Sequence, residues 1–368
     1  AQMRSLMGDY KVASKDYLKL KNYTEAARMD FQGGYWTSLV RSSHRASGIW
    51  SKYWKGLAQY RMRGLRFAKQ SLTAATKYSG SDPEQREAAA HALYLLSMDR
   101  LEQYKKIQIK LGQEAQAVND KAGGLKSLES KLNQVIKFGN GRWTIAALYG
   151  LGQSYKEFSD FLIKAPIPKG LSKSDRKVYK SAIAKQAKTY SKTANNYFKQ
   201  CISSAEKHTV FTRFVKGCLS KGSLKINEED ETTVISRSQD KKPPKAEKIR
   251  RRLLEENRNL KLLNQLSLIF LKNKDYSMAE MIQKRILEIS PGNSQALAKV
   301  GVIKLYKNEI QQAYTWFKKS LDSEQMQPLA LYGLKGLYTK FRFSSRLRSI
   351  KPKLRGIRKP KSFAHPYM

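Results

Sequence analysis

Apolar residues recur at three- and four-residue spacing along most of the chain, and strand-like alternation is almost absent. This pattern predicts helices over 53–78 and 84–118. Gly80-Ser81-Asp82-Pro83 separates them, with Asp82 suited to cap the second helix and Pro83 to open it. Further breaks are expected at "NDKAGG" (119–124) and "FGNGRW" (138–143), so residues 1–222 read as helix after helix. At 223–245 an acidic cluster gives way to polar residues and Lys-Lys-Pro-Pro-Lys, the composition of a linker or long surface loop. Helical periodicity resumes over 246–342, and residues 343–368 form a basic, proline-containing tail.

Two phrases are nearly the same. "YLKLKNYTEA" (17–26) and "FLKNKDYSMA" (270–279) both run aromatic, Leu, Lys, any, Lys, Asn or Asp, Tyr, a small hydroxyl residue, any, Ala. From Leu260, a 34-residue unit places Leu263, Leu266 and Phe270 on one helix and Ala279, Ile286 and Leu287 on the next. One period on, Val300-Gly301, Ala313, Phe317, Ser320 and Leu321 take the matching places, and Leu331, Leu334 and Tyr338 begin a third unit. Leu148, Leu151, Gly152 and Tyr155 fit the first helix of such a unit, and Tyr17 and Ala26 stand as Phe270 and Ala279 do. This resembles the tetratricopeptide repeat, in which small residues let two antiparallel helices approach. The resemblance implies an all-α helical-hairpin solenoid, irregular in its N-terminal half, whose neighbouring units bury each other's faces.

It also implies a groove along the first helices of the units. Carried onto this chain, the groove positions are Lys261, Asn264, Leu268, Lys272, Val302, Leu305, Tyr306 and Tyr332. An apolar, aromatic floor flanked by lysines suits a peptide carrying acidic residues, the alternative being a solvated groove. The family's carboxylate-clamp pattern is not reproduced. After the helix at 147–158, a loop with Ala165-Pro166, Pro168 and Gly170-Leu171 precedes Tyr179 and a later Ala-rich helix. That stretch resembles an insertion in large tetratricopeptide proteins of bacterial envelopes, including those of gliding-motility machinery. It implies an envelope scaffold.

Charge then widens the choice of partner. Lys and Arg number 71 against 30 Asp and Glu, a formal net charge of +41. Nucleic acid, acidic lipid, an anionic envelope polymer or an acidic protein would each supply counter-charge. Eight cations crowd the tail: Arg346, Arg348, Lys351, Lys353, Arg355, Arg358, Lys359 and Lys361. They suit an anionic surface, or are simply solvated. No apolar run approaches the roughly 18 residues needed to span a bilayer, so a soluble chain is expected. The opening "AQMRSLMGDY" starts with Ala, as a mature chain would after signal-peptide cleavage; a trimmed chain would look the same.

Cys201 and Cys218 have their midpoint between Thr209 and Val210, where "AEKHTVFTRF" would turn a helical hairpin. Residues so placed face each other, the geometry a disulfide needs; in an exported chain a bridge is expected, in a reducing compartment two packed thiols. His44, His91, His208 and His365 show no metal-ligand spacing, and no cofactor motif is present. "GLGQSY" (150–155) lacks the third glycine of a nucleotide loop and lies inside a helical pattern. The expectation is a non-enzymatic periplasmic scaffold that binds proteins within an envelope assembly. The alternative is a nucleic-acid-associated helical repeat protein, in which the cations and the 20 tyrosines meet phosphate and base.

Overall fold

The computed structural model describes residues 1, 4–5, 9–109, 112–168, 170–223, 244–360 and 365. Among these residues every regular element is a helix, and the protein is an all-α helical repeat. Residues 224–243, most of the expected linker, lie outside the described residues, as does Lys361 of the tail. The chain divides into two compact units, Ser14–Ile226 and Asn227–Met368 with Ala1–Ala13.

The N-terminal helices are α1 (Tyr10–Lys19), α2 (Tyr23–Gln32), α3 (Trp36–Arg45), α4 (Gly48–Arg63), α5 (Leu65–Ala75), α6 (Pro83–Lys105), α7 (Glu114–Lys137), α8 (Gly141–Ile163), α9 (Lys173–His208) and α10 (Arg213–Leu219). From α2 onward each packs on its successor. Asp82 caps α6 by accepting from the Gln85 amide at 2.8 Å, as expected. The helix expected over 53–78 is instead cut at Gly64, whose φ of +79° suits glycine alone. The helix expected over 84–118 ends at Lys105, and the break expected at 119–124 is continuous helix. Gly124 serves contact there, since a Cβ would stand 2.9 Å from the Tyr104 ring.

Aromatic rings fill the start of this unit. Tyr53 and Trp54 lie 5.0 Å apart, with Phe31, Trp36 and Trp50 around them. His91 is stacked on Trp143 at 4.1 Å, and its Nδ1 is 2.8 Å from the Tyr53 hydroxyl. Burial first, then Arg142, Arg213 and Arg61, lower the imidazole to about 3. Burial keeps the phenol protonated, so Tyr53 donates and a neutral His91 accepts.

Lys121 is wholly buried on α7. Its Nζ donates to the Tyr104 carbonyl at 2.9 Å and to Glu157 Oε1 at 3.0 Å, between the rings of Tyr104 and Phe161. Those partners replace the water a buried ammonium loses.

The last hairpin of this unit is a stretched repeat. Ala194, Phe198 and Cys201 on α9 keep the spacing of Ala313, Phe317 and Ser320. A Cβ on Gly152 of α8 would meet the Phe198 ring at 2.4 Å, and one on Gly222 would come within 3.1 Å of it. The inserted residues lengthen α9 to 36 residues against 23 in α8. Thr209 turns the chain at φ +51°, and α10 returns to place Cys218 in a disulfide with Cys201, their Cα atoms 6.4 Å apart.

The C-terminal unit holds α11 (Pro244–Glu255), α12 (Leu260–Lys272), α13 (Tyr276–Ile289), α14 (Ser294–Tyr306), α15 (Ile310–Ser323), α16 (Pro328–Lys340) and α17 (Ser344–Ile350), then a 3-10 turn at Pro352–Leu354. Three hairpins begin at 260, 294 and 328, in strict 34-residue register. Asn259, Asn293 and Gln327 cap their first helices, each accepting from the amide three residues on. At the corners, Lys274, Asn308 and Arg342 adopt φ of +60°, +60° and +54°. The next amide of each then reaches back to Phe270, Lys304 and Tyr338 carbonyls at 2.9, 2.8 and 2.9 Å, the six-to-one bond of a Schellman motif. The first of the two near-identical phrases makes the same corner: Lys21 has φ +55° and the Asn22 amide reaches the Tyr17 carbonyl at 2.9 Å. The shared wording is therefore a corner with a left-handed cation and a capping side chain.

Ala26, Ala279 and Ala313 are fully buried, as the repeat frame requires. Phe317, also fully buried, is held between two glycines: Cβ atoms on Gly301 and Gly333 would stand 2.6 and 2.4 Å from its ring. The third hairpin continues to Ile350, so Arg346 and Arg348 belong to helix α17, and the sequence boundary at 343 falls on its corner.

Candidate functional site: the first-helix face of the C-terminal hairpins

The candidate face is built by α12, α14 and α16, whose caps and corners set all three in one register. Lys261 and Lys272 are exposed, and Asn264 and Leu268 are half-buried. Val302 and Leu305 are buried and cannot line an open groove. The reason is local: α14 is enclosed by α13, α15 and α16, and every residue from Ala296 to Leu305 is buried.

Asn264 joins a polar network. Its Oδ1 accepts from Lys299 Nζ at 2.7 Å and from Gln283 Nε2 at 3.2 Å, and Lys299 also donates to Gln295 Oε1 at 3.1 Å. Burial lowers the Lys299 amine to about 8. Tyr306 stacks on Tyr276 with centroids 5.3 Å apart, and His365 meets it edge-on at 4.5 Å. Tyr332 donates from its hydroxyl to the Ile357 carbonyl at 3.0 Å, and Lys335 lies 5.5 Å over its ring. The two aromatic residues expected to hold a partner thus hold the chain's own C-terminal segment.

The tail cations Lys351, Lys353, Arg355, Arg358 and Lys359, with Arg346 and Arg348 of α17, are exposed. Between them Leu354, Ile357 and Pro360, at every third position, are half-buried, as is His365. One side of this segment faces the protein and the other carries charge outward.

Beneath the face lies a charged joint. Buried Glu280 of α13 meets Lys304 Nζ at 3.0 Å and Lys307 Nζ at 2.8 Å, and Lys284 at 3.0 Å. Glu309 closes the group, 2.6 Å from Lys304 and 3.4 Å from Lys307. Burial alone would raise the Glu280 carboxyl, but Lys304, Lys307 and Lys284 hold it down to about 2. Burial opposes the Lys307 charge too, yet Glu280 and Glu309 raise it above its ordinary value. One period later the same four places are Tyr314, Tyr338, Phe341 and Phe343. The first joint is ionic and the second aromatic, on identical register positions.

Sequence reasoning missed Tyr276, Lys299, Ile357 and the ionic joint. Tyr276 was legible as the aromatic residue of the repeated phrase; a buried Lys299 or Glu280 leaves no mark in a hydropathy pattern. Among the described residues no three of His, Cys, Asp and Glu gather to hold a metal, and no helix is long and apolar enough to cross a membrane.

No protein-family model and no curated protein matches the chain. Among solved structures it is similar to one described as a "Circular tandem repeat protein with novel repeat topology and enhanced subunit contact surfaces", at 12% identity over 95% of this chain and 75% of that one. The TM-score is 0.21, too low to carry an argument about this protein.

Proposed function

We propose that this protein is a non-enzymatic scaffold of tetratricopeptide type, exported to the periplasm, where it joins proteins of an envelope assembly of the motility-machinery kind. One observation carries the binding role: Tyr332 and Tyr306 already hold a main-chain carbonyl and a ring of a C-terminal segment. A face that accepts one stretch of polypeptide by such contacts has the chemistry to accept another. The disulfide pair supports an oxidising compartment, and the proline-bearing insertion before α9 supports the envelope setting. Lys261 and Lys272 would favour acidic residues in the partner, affecting association rate and salt dependence more than lifetime.

Two measurements test the reading. Cell fractionation should recover the full chain with periplasmic markers; recovery in the cytosol defeats the export assignment. Crosslinking in cells should recover protein partners that the double variant Tyr306→Ala/Tyr332→Ala recovers less well even at high salt. Equal recovery defeats the groove.

The net charge of +41 favours a second reading, a nucleic-acid-associated protein. It predicts tight binding of generic duplex DNA or RNA at physiological salt, falling steeply as salt rises and governed by the tail cations. Such binding, with no response to the tyrosine variants, would replace the scaffold reading.

A further inference from the structure

The C-terminal segment lies against the very residues that the scaffold reading assigns to a partner. The Tyr332 hydroxyl donates to the Ile357 carbonyl at 3.0 Å, and Tyr306 meets His365 edge-on at 4.5 Å. The first contact recognises main chain, so any extended peptide can supply the acceptor. The second needs only a ring. The 3-10 turn at Pro352–Leu354 packs on α16 and starts the segment from the edge of the face it covers. Gly356, at φ +77°, then lets the chain bend.

We propose that the face around Tyr306 and Tyr332 is a peptide groove kept occupied in cis by the C-terminal segment, and that a protein partner binds by displacing it. The proposal rests on the scaffold reading and adds the competition. The displacing partner is an extended peptide that offers a carbonyl to Tyr332 and an aromatic or imidazole ring to Tyr306. Tethering raises the segment's effective concentration to the millimolar range, so modest contacts such as these are enough to occupy the groove. Burial first, then Lys340, lower His365 to about 4, so the ring against Tyr306 is neutral at physiological pH.

The groove can be probed with the chain's own segment. A fluorescent synthetic peptide of residues 355–368 is titrated into the full chain and into a chain ending at Leu354, with circular dichroism showing that both are folded. The shortened chain should bind the peptide at least about tenfold more tightly than the full chain. Tyr332→Phe in the shortened chain, or His365→Ala in the peptide, should each weaken that binding. Equal binding by the two chains, or binding by neither, overturns the proposal. If the shortened chain does not fold, trypsin cleavage after Arg355 and Arg358 is timed in the full chain. Tyr332→Phe combined with His365→Ala should speed it about fivefold or more relative to the parent by releasing the segment, and an unchanged rate overturns the proposal. Crosslinks joining Tyr306 to His365 of a second copy in a stable dimer also overturn the cis assignment. Failure of these tests leaves the scaffold reading standing, because that reading is decided by partner recovery with the double tyrosine variant.

Discussion

Phe198 and Phe317 occupy matching places in two differently built units. Each ring sits against glycine, Gly152 and Gly222 around the first, Gly301 and Gly333 around the second. Around Phe317 the helices keep a 34-residue register from cap to corner to cap. Around Phe198 an insertion has pushed the two sides of the contact far apart in sequence, and a disulfide ties the second helix to its successor. The contact has survived the loss of register. What defines the repeat physically is a large ring admitted by absent side chains, and spacing is only the usual way to deliver it.

The largest effect should come from removing either ring. Phe198→Ala and Phe317→Ala should each cost about 3–5 kcal/mol in denaturant unfolding, because both leave a cavity that packed helices cannot fill. A cost under about 1 kcal/mol at either position would break the parallel between the units. Removing the buried carboxylate comes next. Glu280→Gln leaves the buried Lys304 and Lys307 to share Glu309 and should cost about 3 kcal/mol in the C-terminal unit, read by Trp316 fluorescence. Reducing the disulfide, which closes a sequence separation of 17, should cost the N-terminal unit about 3 kcal/mol and leave the C-terminal unit unchanged.

Acid separates the units further. His91 is lowered from 6.5 to about 3 in the folded protein, so between those pH values the unfolded chain binds the extra proton. The N-terminal unit should therefore lose up to about 1.4 kcal/mol for each pH unit below 6.5. Glu280 is lowered from 4.5 to about 2, so its contribution stands above pH 4.5 and is lost only as pH falls toward 2. Unfolding at pH 7, 5.5 and 4 should weaken the Trp143 transition well before that of Trp316; simultaneous weakening contradicts the assignment. The smallest effect belongs to the shared corner. Lys21→Gly and Lys274→Gly replace a left-handed cation by the residue that adopts this conformation without strain, and each should leave the melting temperature unchanged or raise it, by less than about 1 kcal/mol of stability.

The helices, the register of the C-terminal hairpins and the cysteine pairing were legible because they follow from periodicity and from chain symmetry about a turn. The helix boundaries near Gly64 and Gly124 were not. A glycine that bends the chain and one that admits a neighbouring ring look alike until the neighbour is known. On the candidate face, the repeat frame singled out Tyr306 and Tyr332, which contact the C-terminal segment, whereas Val302 and Leu305 lie buried where α14 packs against α13, α15 and α16. Lys121, Lys304 and Lys307 were invisible for a common reason. Each is a cation at a buried position, and only a partner distant in sequence makes that tolerable.

The alternation of an ionic and an aromatic joint on the same register positions bears on how such an array can lengthen. A copy of the middle hairpin spliced in after itself would carry Lys304 and Lys307 against Tyr314, where the upstream neighbour supplies Glu280. The duplicate would face its template with two ammonium groups and no carboxylate from the other side, a mismatch that folding would reject. The hairpins of this chain are similar enough to be kin and yet cannot be shuffled, and their order is written into the joints.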